Sequence, residues 1–368
     1  MEKNKIKKVL FFFDSRATFS YSYNIIKIFK KKKIRYTSIV SGNYLEKNLG
    51  VGKKIFLDYK IKVNKYIKFK SPNKNKSSWP ISMGSALSNY AKEIEKINPD
   101  IVILTGDRVE TLSFCLAASY MKYRIAHIQA GDKSGHIDDL TRSVIAKYSH
   151  LHFAPSKQAV DRLKKWNEST VRIFQTGAPQ LNDMHEIKSK NKKNEYYVVI
   201  FHPVLGERDN INNQMKNLLK FLLKINKKIY WIYSNNDYGY DLIVNKLNSF
   251  KYDKIKIIKN LKRKKFLSLL KDSKGLIGNS SSGIHETNTF DIPTINIGTR
   301  QAGRLRSENI IDTGYDKKEI IQAILDCNNS TKKSYDKIYG SGDSSQKIVD
   351  LLKKISLDDE IIQKQITY

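Results

Sequence analysis

Residues 101–129 read IVILTGDRVETLSFCLAASYMKYRIAHIQ. The short apolar run Ile101–Thr105 gives way to a polar turn, Gly106-Asp107-Arg108. A helical stretch, Thr111–Met121, follows, and a second apolar run, Arg124–Gln129, closes the segment. Strand, helix and strand at these lengths predict a parallel pair joined by a crossover helix. The pattern recurs outward in both directions. Further strands are predicted at Lys8–Phe13, Ile34–Val40 and His150–Ala154, then at Tyr196–Phe201, Ile229–Tyr233, Ile255–Ile258, Gly275–Ile277 and Thr294–Ile297. Helices are predicted at Tyr21–Lys31, Ser85–Lys96, Asp138–Tyr148, Lys157–Trp166 and Gln214–Ile225, with an amphipathic helix near Ile348–Ile355. This alternation predicts an α/β protein with parallel sheets. The polar, Lys/Asn-rich stretch Glu186–Glu195 reads as a linker between residues 1–185 and 196–368. The two halves show no repeat of one another.

A length of 368 residues suits two domains, and 40% apolar residues supply their cores. No stretch approaches the roughly 18–20 apolar residues of a membrane span. Val9–Phe13 runs straight into Asp14 and Arg16 with no small-residue cleavage site, so it reads as a buried strand rather than a signal peptide. A cytoplasmic location is therefore expected. The two cysteines, Cys115 and Cys327, form neither a disulfide framework nor a ligand-spaced cluster. With 67 basic and 36 acidic residues the net charge is +31. The lysines are scattered (Lys30–Lys33, Lys188–Lys193, Lys262–Lys265) and are not interleaved with aromatics, which argues against a nucleic-acid or membrane partner. A basic field still helps to recruit a small anion.

Ligands of open parallel sheets bind beyond the carboxyl ends of the strands. The polar motifs sit there. Ser15-Arg16-Ala17-Thr18 follows the first strand, Gly106-Asp107-Arg108 the third, and Ala130-Gly131-Asp132 the fourth. In the second half His202-Pro203, Gly278–Gly283 and Gly298-Thr299-Arg300 occupy the same kind of position. Two rows of strand-end loops imply a cleft between two domains.

Gly275–Glu286, GLIGNSSSGIHE, is the most informative of these segments. Free N–H groups at a helix start attract anions, glycines permit close approach, and Glu286 one turn later can take the hydroxyls of a ribose. An ordinary serine N-cap accounts for the same residues. A Walker lysine motif and G-x-G-x-x-G are both absent, which disfavours ATP hydrolysis and dinucleotide binding. Asp107 suits acid/base work and Arg108 a phosphate, although a surface turn reads the same way. Asp138 and Asp139 open a helix, where one can serve as N-cap and leave the other for chemistry. Asp132, His136 and Asp138 lack a diagnostic metal-ligand spacing. Arg300 and Arg304 beside glycines suit a diphosphate.

Together these segments resemble the hydrolysing nucleotide-sugar 2-epimerases, the family that includes the epimerase half of the animal sialic-acid enzyme and bacterial enzymes of sialic and legionaminic acid synthesis. The likeness runs from about Arg16 to Asn309. It rests on Gly106-Asp107-Arg108, Ser134–Asp139, His202-Pro203, Gly278–Glu286 and Gly298–Arg304, in that order. It implies two Rossmann-like domains facing a cleft, as in glycosyltransferase-B folds, no cofactor, and a homodimer or homotetramer. It places Arg16, Ser20, Arg108, His202, Asn235, Asn260, Leu261, Ser280, Ser281, Glu286 and Arg300 around a uridine diphosphate. Asp107 and Asp138 match two of the family's acid/base carboxylates. Gln129 stands where the family usually has a glutamate, and an amide cannot titrate. By resemblance this glutamine is compatible with enzymes acting on diacetylbacillosamine. Asp14–Ser20 also departs from the usual Thr/Asn-Arg-Ala-Asp/Glu-Tyr pattern, keeping Arg16, Ala17 and Ser20. The implied reaction converts UDP-N-acetylglucosamine or a relative into nucleotide diphosphate and the free 2-epimer. A glycosyltransferase with the same architecture, a non-hydrolysing epimerase and a polyanion-binding module are the competing readings.

Overall fold

The computed structural model describes residues 8–45, 52–69, 77–134, 138–189, 195–234, 239–250, 252–329, 334–355, 363 and 364. The chain forms two units. One gathers the described residues up to Asn182, apart from Ser134, together with those from Tyr339 onward. The other comprises Asp183–Ile338 and Ser134.

The first unit runs β1 (Lys8–Phe13), α1 (Arg16–Lys31), β2 (Arg35–Val40), α2 (Lys54–Asp58), β3 (Lys65–Tyr66), α3 (Ser78–Ile97), β4 (Ile101–Thr105), α4 (Val109–Tyr120), β5 (Arg124–Ile128), α5 (Asp138–Tyr148), β6 (Leu151–Ala154), α6 (Lys157–Lys165) and β7 (Ile173–Gln175). The second runs β8 (Tyr196–Ile200), α7 (Ile211–Leu222), β9 (Lys228–Ile232), α8 (Tyr240–Asn248), β10 (Ile255–Ile258), α9 (Arg263–Lys271), β11 (Gly275–Gly278), α10 (Glu286–Thr289), β12 (Thr294–Ile297), β13 (Ile310–Thr313) and α11 (Lys317–Asn329). A last helix, α12 (Ser344–Lys354), returns to the first unit.

Both sheets are parallel at every pairing. Their orders are β3-β2-β1-β4-β5-β6-β7 and β10-β9-β8-β11-β12-β13. The central strands are apolar throughout because both faces are covered. In β1, Val9, Phe11 and Phe13 point into one core with Phe19, Ile25 and Phe29 of α1. Leu10 and Phe12 point into the other, with Tyr90, Ile94 and Phe114 of α3 and α4. In β8, Tyr197 and Val199 meet Met215, Leu218 and Leu222 of α7, and Val198 and Ile200 meet Leu270 of α9. Burying each such side chain contributes about 1.5–3 kcal/mol.

Every strand expected from the sequence is present to within a residue or two. Three edge strands, β3, β7 and β13, escape a reading of apolar runs. They are two to four residues long and only partly buried. Two helices, α1 and α3, start well before their apolar periodicity indicates. The first turn of α1 carries Arg16–Ser20, and α3 begins at Ser78 with Pro80 in its first turn, where the missing N–H does no harm.

The expected second domain, 196–368, requires correction at its end. Ile348, Val349 and Leu352 of α12 are buried in the core beside α1, and Asp350 pairs with Lys32 at 2.9 Å. The Ala178 N–H donates to the Tyr339 carbonyl at 2.8 Å, and Asn182 Nδ2 donates to the Gly342 carbonyl at 2.6 Å. The expected linker is also partly structured: Ile187 is buried and the Ser189 hydroxyl donates to Asp272. Residues 190–194 lie outside the described set. An Ile348→Ala variant is expected to lose about 2–5 kcal/mol of stability in urea denaturation, the cost of a cavity in a closed core. A change below about 0.5 kcal/mol would show α12 to be an appendage.

Candidate active site

In the first unit the chain grows from β1 through β2 to β3, then crosses to the other side of β1 as β4. The loops after β1 and β4 therefore part at the point where strand order reverses, the position at which open parallel sheets take ligands. Arg16 opens α1 beyond β1. Thr18 Oγ1 shapes this turn by accepting from the N–H groups of Asp14 and Ser15, both at 3.1 Å. The Ser20 hydroxyl donates back to the Arg16 carbonyl at 3.0 Å.

Beyond β4, Arg108 precedes α4 and its Nε and Nη2 donate to the two carboxylate oxygens of buried Glu110, each at 3.2 Å. Asp14 is wholly buried alongside and accepts from the Thr111 hydroxyl at 2.5 Å. Burial, then the Glu110 charge, push the Asp14 carboxyl up to about 6, against the pull of Arg108 and Thr111.

Asp107 is held by Arg142 of α5, which donates to its Oδ2. The same guanidinium pairs with Asp132 at 3.5 Å and reaches the Gln129 carbonyl at 3.5 Å. Arg142 and Asp132 are nearly inaccessible, whereas the Asp107 side chain keeps 18% exposure, enough to present a carboxylate edge. Gln129 sits in the left-handed region at φ 65°. Its Nε2 donates to Gln180 Oε1 at 3.2 Å, while its buried Oε1 has no hydrogen-bond partner among the described residues. Asp138 is the first residue of α5, half-buried, one turn before Arg142. His136 lies outside the described residues, and among those described no cluster of three His, Cys, Asp or Glu is arranged to hold a metal.

The second unit repeats the reversal between β8 and β11. Gly278 ends β11 at φ 134°, and a Cβ there would lie 2.0 Å from the Ile200 carbonyl oxygen of β8, so only glycine fits. Asn279 then takes over from the backbone ladder. Its Oδ1 accepts from the His202 N–H at 2.6 Å and its Nδ2 donates to the His202 carbonyl at 2.9 Å. Its own carbonyl accepts from Arg300 Nη1 at 3.2 Å and Gln301 Nε2 at 2.9 Å. Asn279 thus gathers His202, the serine loop and Arg300. Ser280 Oγ accepts from the Ser282 N–H at 3.3 Å, and the Ser281 carbonyl accepts from the next turn, so the loop is a true helix-start cap.

Glu286 is buried, which raises its carboxyl above the usual range against the pull of Arg263. Arg263 stands 3.7 Å from Glu286 and forks onto Asp183 at 3.2 and 3.0 Å. Asn260 and Leu261 follow β10, with Leu261 packed against the core under α9. Asn235 lies outside the described residues. The described expected residues thus fall into two groups, each beyond strand ends of its own sheet: Arg16, Ser20, Asp107, Arg108, Gln129 and Asp138 in the first unit, and His202, Asn260, Leu261, Ser280, Ser281, Glu286 and Arg300 in the second. Asp14, Glu110, Arg142, Arg263 and Asn279 emerge only from the structure.

The family model for UDP-N-acetylglucosamine 2-epimerase matches residues 27–353. The chain belongs to this family. Within the epimerase family, the chain is 30% identical over 99% of its length to the whole of a Legionella pneumophila protein named UDP-N,N'-diacetylbacillosamine 2-epimerase (hydrolyzing). A Campylobacter jejuni GDP/UDP-N,N'-diacetylbacillosamine 2-epimerase (hydrolyzing) is 34% identical over 77% of each chain. Among solved structures, the Methanocaldococcus jannaschii UDP-GlcNAc 2-epimerase with UDP-GlcNAc and UDP superposes with a TM-score of 0.80 at 22% identity, covering 94% of this chain and 99% of that one. That likeness shows a shared fold, the two parallel-sheet α/β units expected from the sequence.

The raised Asp14 carboxyl sets a pH signature. A folded-state value of about 6 against an ordinary 3.8 means that the folded protein takes up this proton more readily than the unfolded chain. Its stability contribution is full below about pH 4 and is lost as pH rises through about 6. Asp14→Asn is expected to remove this loss. The variant's melting temperature, relative to wild type, should rise between pH 5 and pH 8. An unchanged difference across that range would show that Asp14 does not titrate there.

Proposed function

We propose that this family member is a hydrolysing nucleotide-sugar 2-epimerase. Its substrate is a UDP- or GDP-linked N,N'-diacetylbacillosamine or UDP-N-acetylglucosamine, and its products are the nucleotide diphosphate and the free 2-epimer. The observation that carries this reading is the identity with the Legionella pneumophila enzyme along essentially the full length of both chains. The physiological setting is nonulosonic acid synthesis in the cytoplasm. Among the described residues, no helix is long and apolar enough to cross a membrane.

The chemistry uses carboxylates and cations. One carboxylate takes the C2 proton as the C1–oxygen bond breaks, and the bonding pair leaves with the nucleotide diphosphate. Arg108, His202, Arg300 and the serine loop receive the charge that develops on the diphosphate. The result is a glycal with a C1–C2 double bond. A second acid returns a proton to C2 from the opposite face, and water adds its hydroxyl to C1. Asp107 and Asp138 carry the proton transfers. The Arg142 contact keeps the Asp107 carboxylate oriented for a proton transfer. Arg16 and Ser20 in the first unit, and Asn235, Asn260, Leu261, Ser281 and Glu286 in the second, complete the nucleotide contacts. Gln129, unable to titrate, acts by hydrogen bonding alone.

The test is an NMR time course in D2O with each nucleotide sugar. Free nucleotide diphosphate and a 2-epimerised sugar deuterated at C2 are expected. Asp107→Asn and Asp138→Asn should each slow turnover by about 10²–10⁴-fold while retaining UDP binding. A 2-epimer still linked to nucleotide would identify a non-hydrolysing epimerase. Nucleotide release only in the presence of an acceptor sugar would identify a glycosyltransferase.

A further inference from the structure

We infer that His127 is a positioning residue for Asp107, because its Nε2–H holds the Gly106 carbonyl and fixes the turn that carries the carboxylate. The inference rests on the reading of Asp107 as an acid/base group. His127 lies within β5 and is wholly buried, and its Nε2 stands 2.8 Å from the Gly106 carbonyl oxygen. A carbonyl only accepts, so the proton must be on Nε2. The other ring nitrogen, Nδ1, is buried and has no hydrogen-bond partner among the described residues, so it carries no proton of its own.

The surroundings hold the ring neutral. Burial pushes the imidazole down to about 3, and His152 and Lys364 add to the effect. His152 is the register partner of His127 on β6, and its Nε2 meets Glu168 at 3.0 Å. Glu168 also pairs with Lys364 at 2.5 Å and with Lys147 at 3.2 Å. His127 is therefore a neutral donor around neutral pH and adds no charge beside Asp107.

The turn needs this anchor. Gly106 has left the strand at φ 81°, and its N–H donates to the Ile128 carbonyl at a long 3.3 Å. Arg142 grips the Asp107 side chain from α5, and His127 grips the peptide on its amino side from β5. The two contacts together fix both ends of the reacting group.

Three substitutions separate positioning from simple packing. Counting bonds from Cβ, glutamine places its amide nitrogen where histidine has Nε2, and asparagine places its own where histidine has Nδ1. Phenylalanine keeps the ring and removes the donor. Kinetics with the substrate identified by the D2O assay, and amide hydrogen exchange of residues 105–110 by mass spectrometry, are read on each. In H127F, kcat should fall about 10–100-fold with KM within about twofold, the size of effect expected for a displaced reacting group, and the turn should exchange faster. H127Q should restore kcat and protection to near wild type, whereas H127N should not. Wild-type kcat and protection in H127F, or H127N as active as H127Q, would overturn the inference. If H127F fails to fold, the Gln and Asn pair decides alone. If wild type turns over no nucleotide sugar, the functional reading fails, and the exchange comparison still decides whether His127 anchors the turn.

Discussion

Where a parallel sheet reverses its direction of growth, two neighbouring strands send their chains apart, and backbone groups at the strand ends lose the ladder that satisfied them. Both sheets of this protein do this beside their first strand, β1 in one and β8 in the other. Side chains take over the hydrogen bonding there. Asn279 ties β11 to the His202 peptide, and Thr111 at the start of α4 reaches Asp14 at the end of β1. These are small, buried polar groups, and their hydrogen bonds stiffen irregular backbone at the strand ends. The residues proposed to meet substrate stand directly on these supports.

Each unit also places one guanidinium between two carboxylates. Arg142 lies between Asp107 and Asp132, and Arg263 between Asp183 and Glu286. A buried ion pair is seldom a large net gain, because desolvation offsets much of the attraction. Its value here is geometric. A planar fork can orient two acids at once. In the Asp14, Glu110 and Arg108 group the arginine donates to Glu110, and burial together with the Glu110 charge raises the Asp14 carboxyl.

The central architecture was legible because both sheets bury their middle strands on two faces, which writes continuous apolar runs such as Val9–Phe13 and Tyr196–Ile200 into the chain. The shortest edge strands write no such run; Lys65–Tyr66 becomes a strand only through its partners Ile39 and Val40. Motifs at strand ends were legible for the same reason, since each follows an apolar run. Arg142 was not, although its spacing of four from Asp138 places both on one side of α5. A lone arginine in a helix ordinarily faces water, and only the fold shows that it turns inward to Asp107. His127 was concealed inside the run Arg124–Gln129, where it reads as an interruption of a strand.

The return of α12 to the first unit makes that unit discontinuous in sequence, with Asp183–Ile338 inserted before its last helix. During synthesis the ribosome therefore delivers β1 and α1 long before Ile348, Val349 and Leu352, which cover them. Until then the part of α1 that α12 covers stays open to water or to a chaperone. Completion of the first core must wait for about 150 residues of the other unit to emerge, so the inserted unit is free to finish folding first.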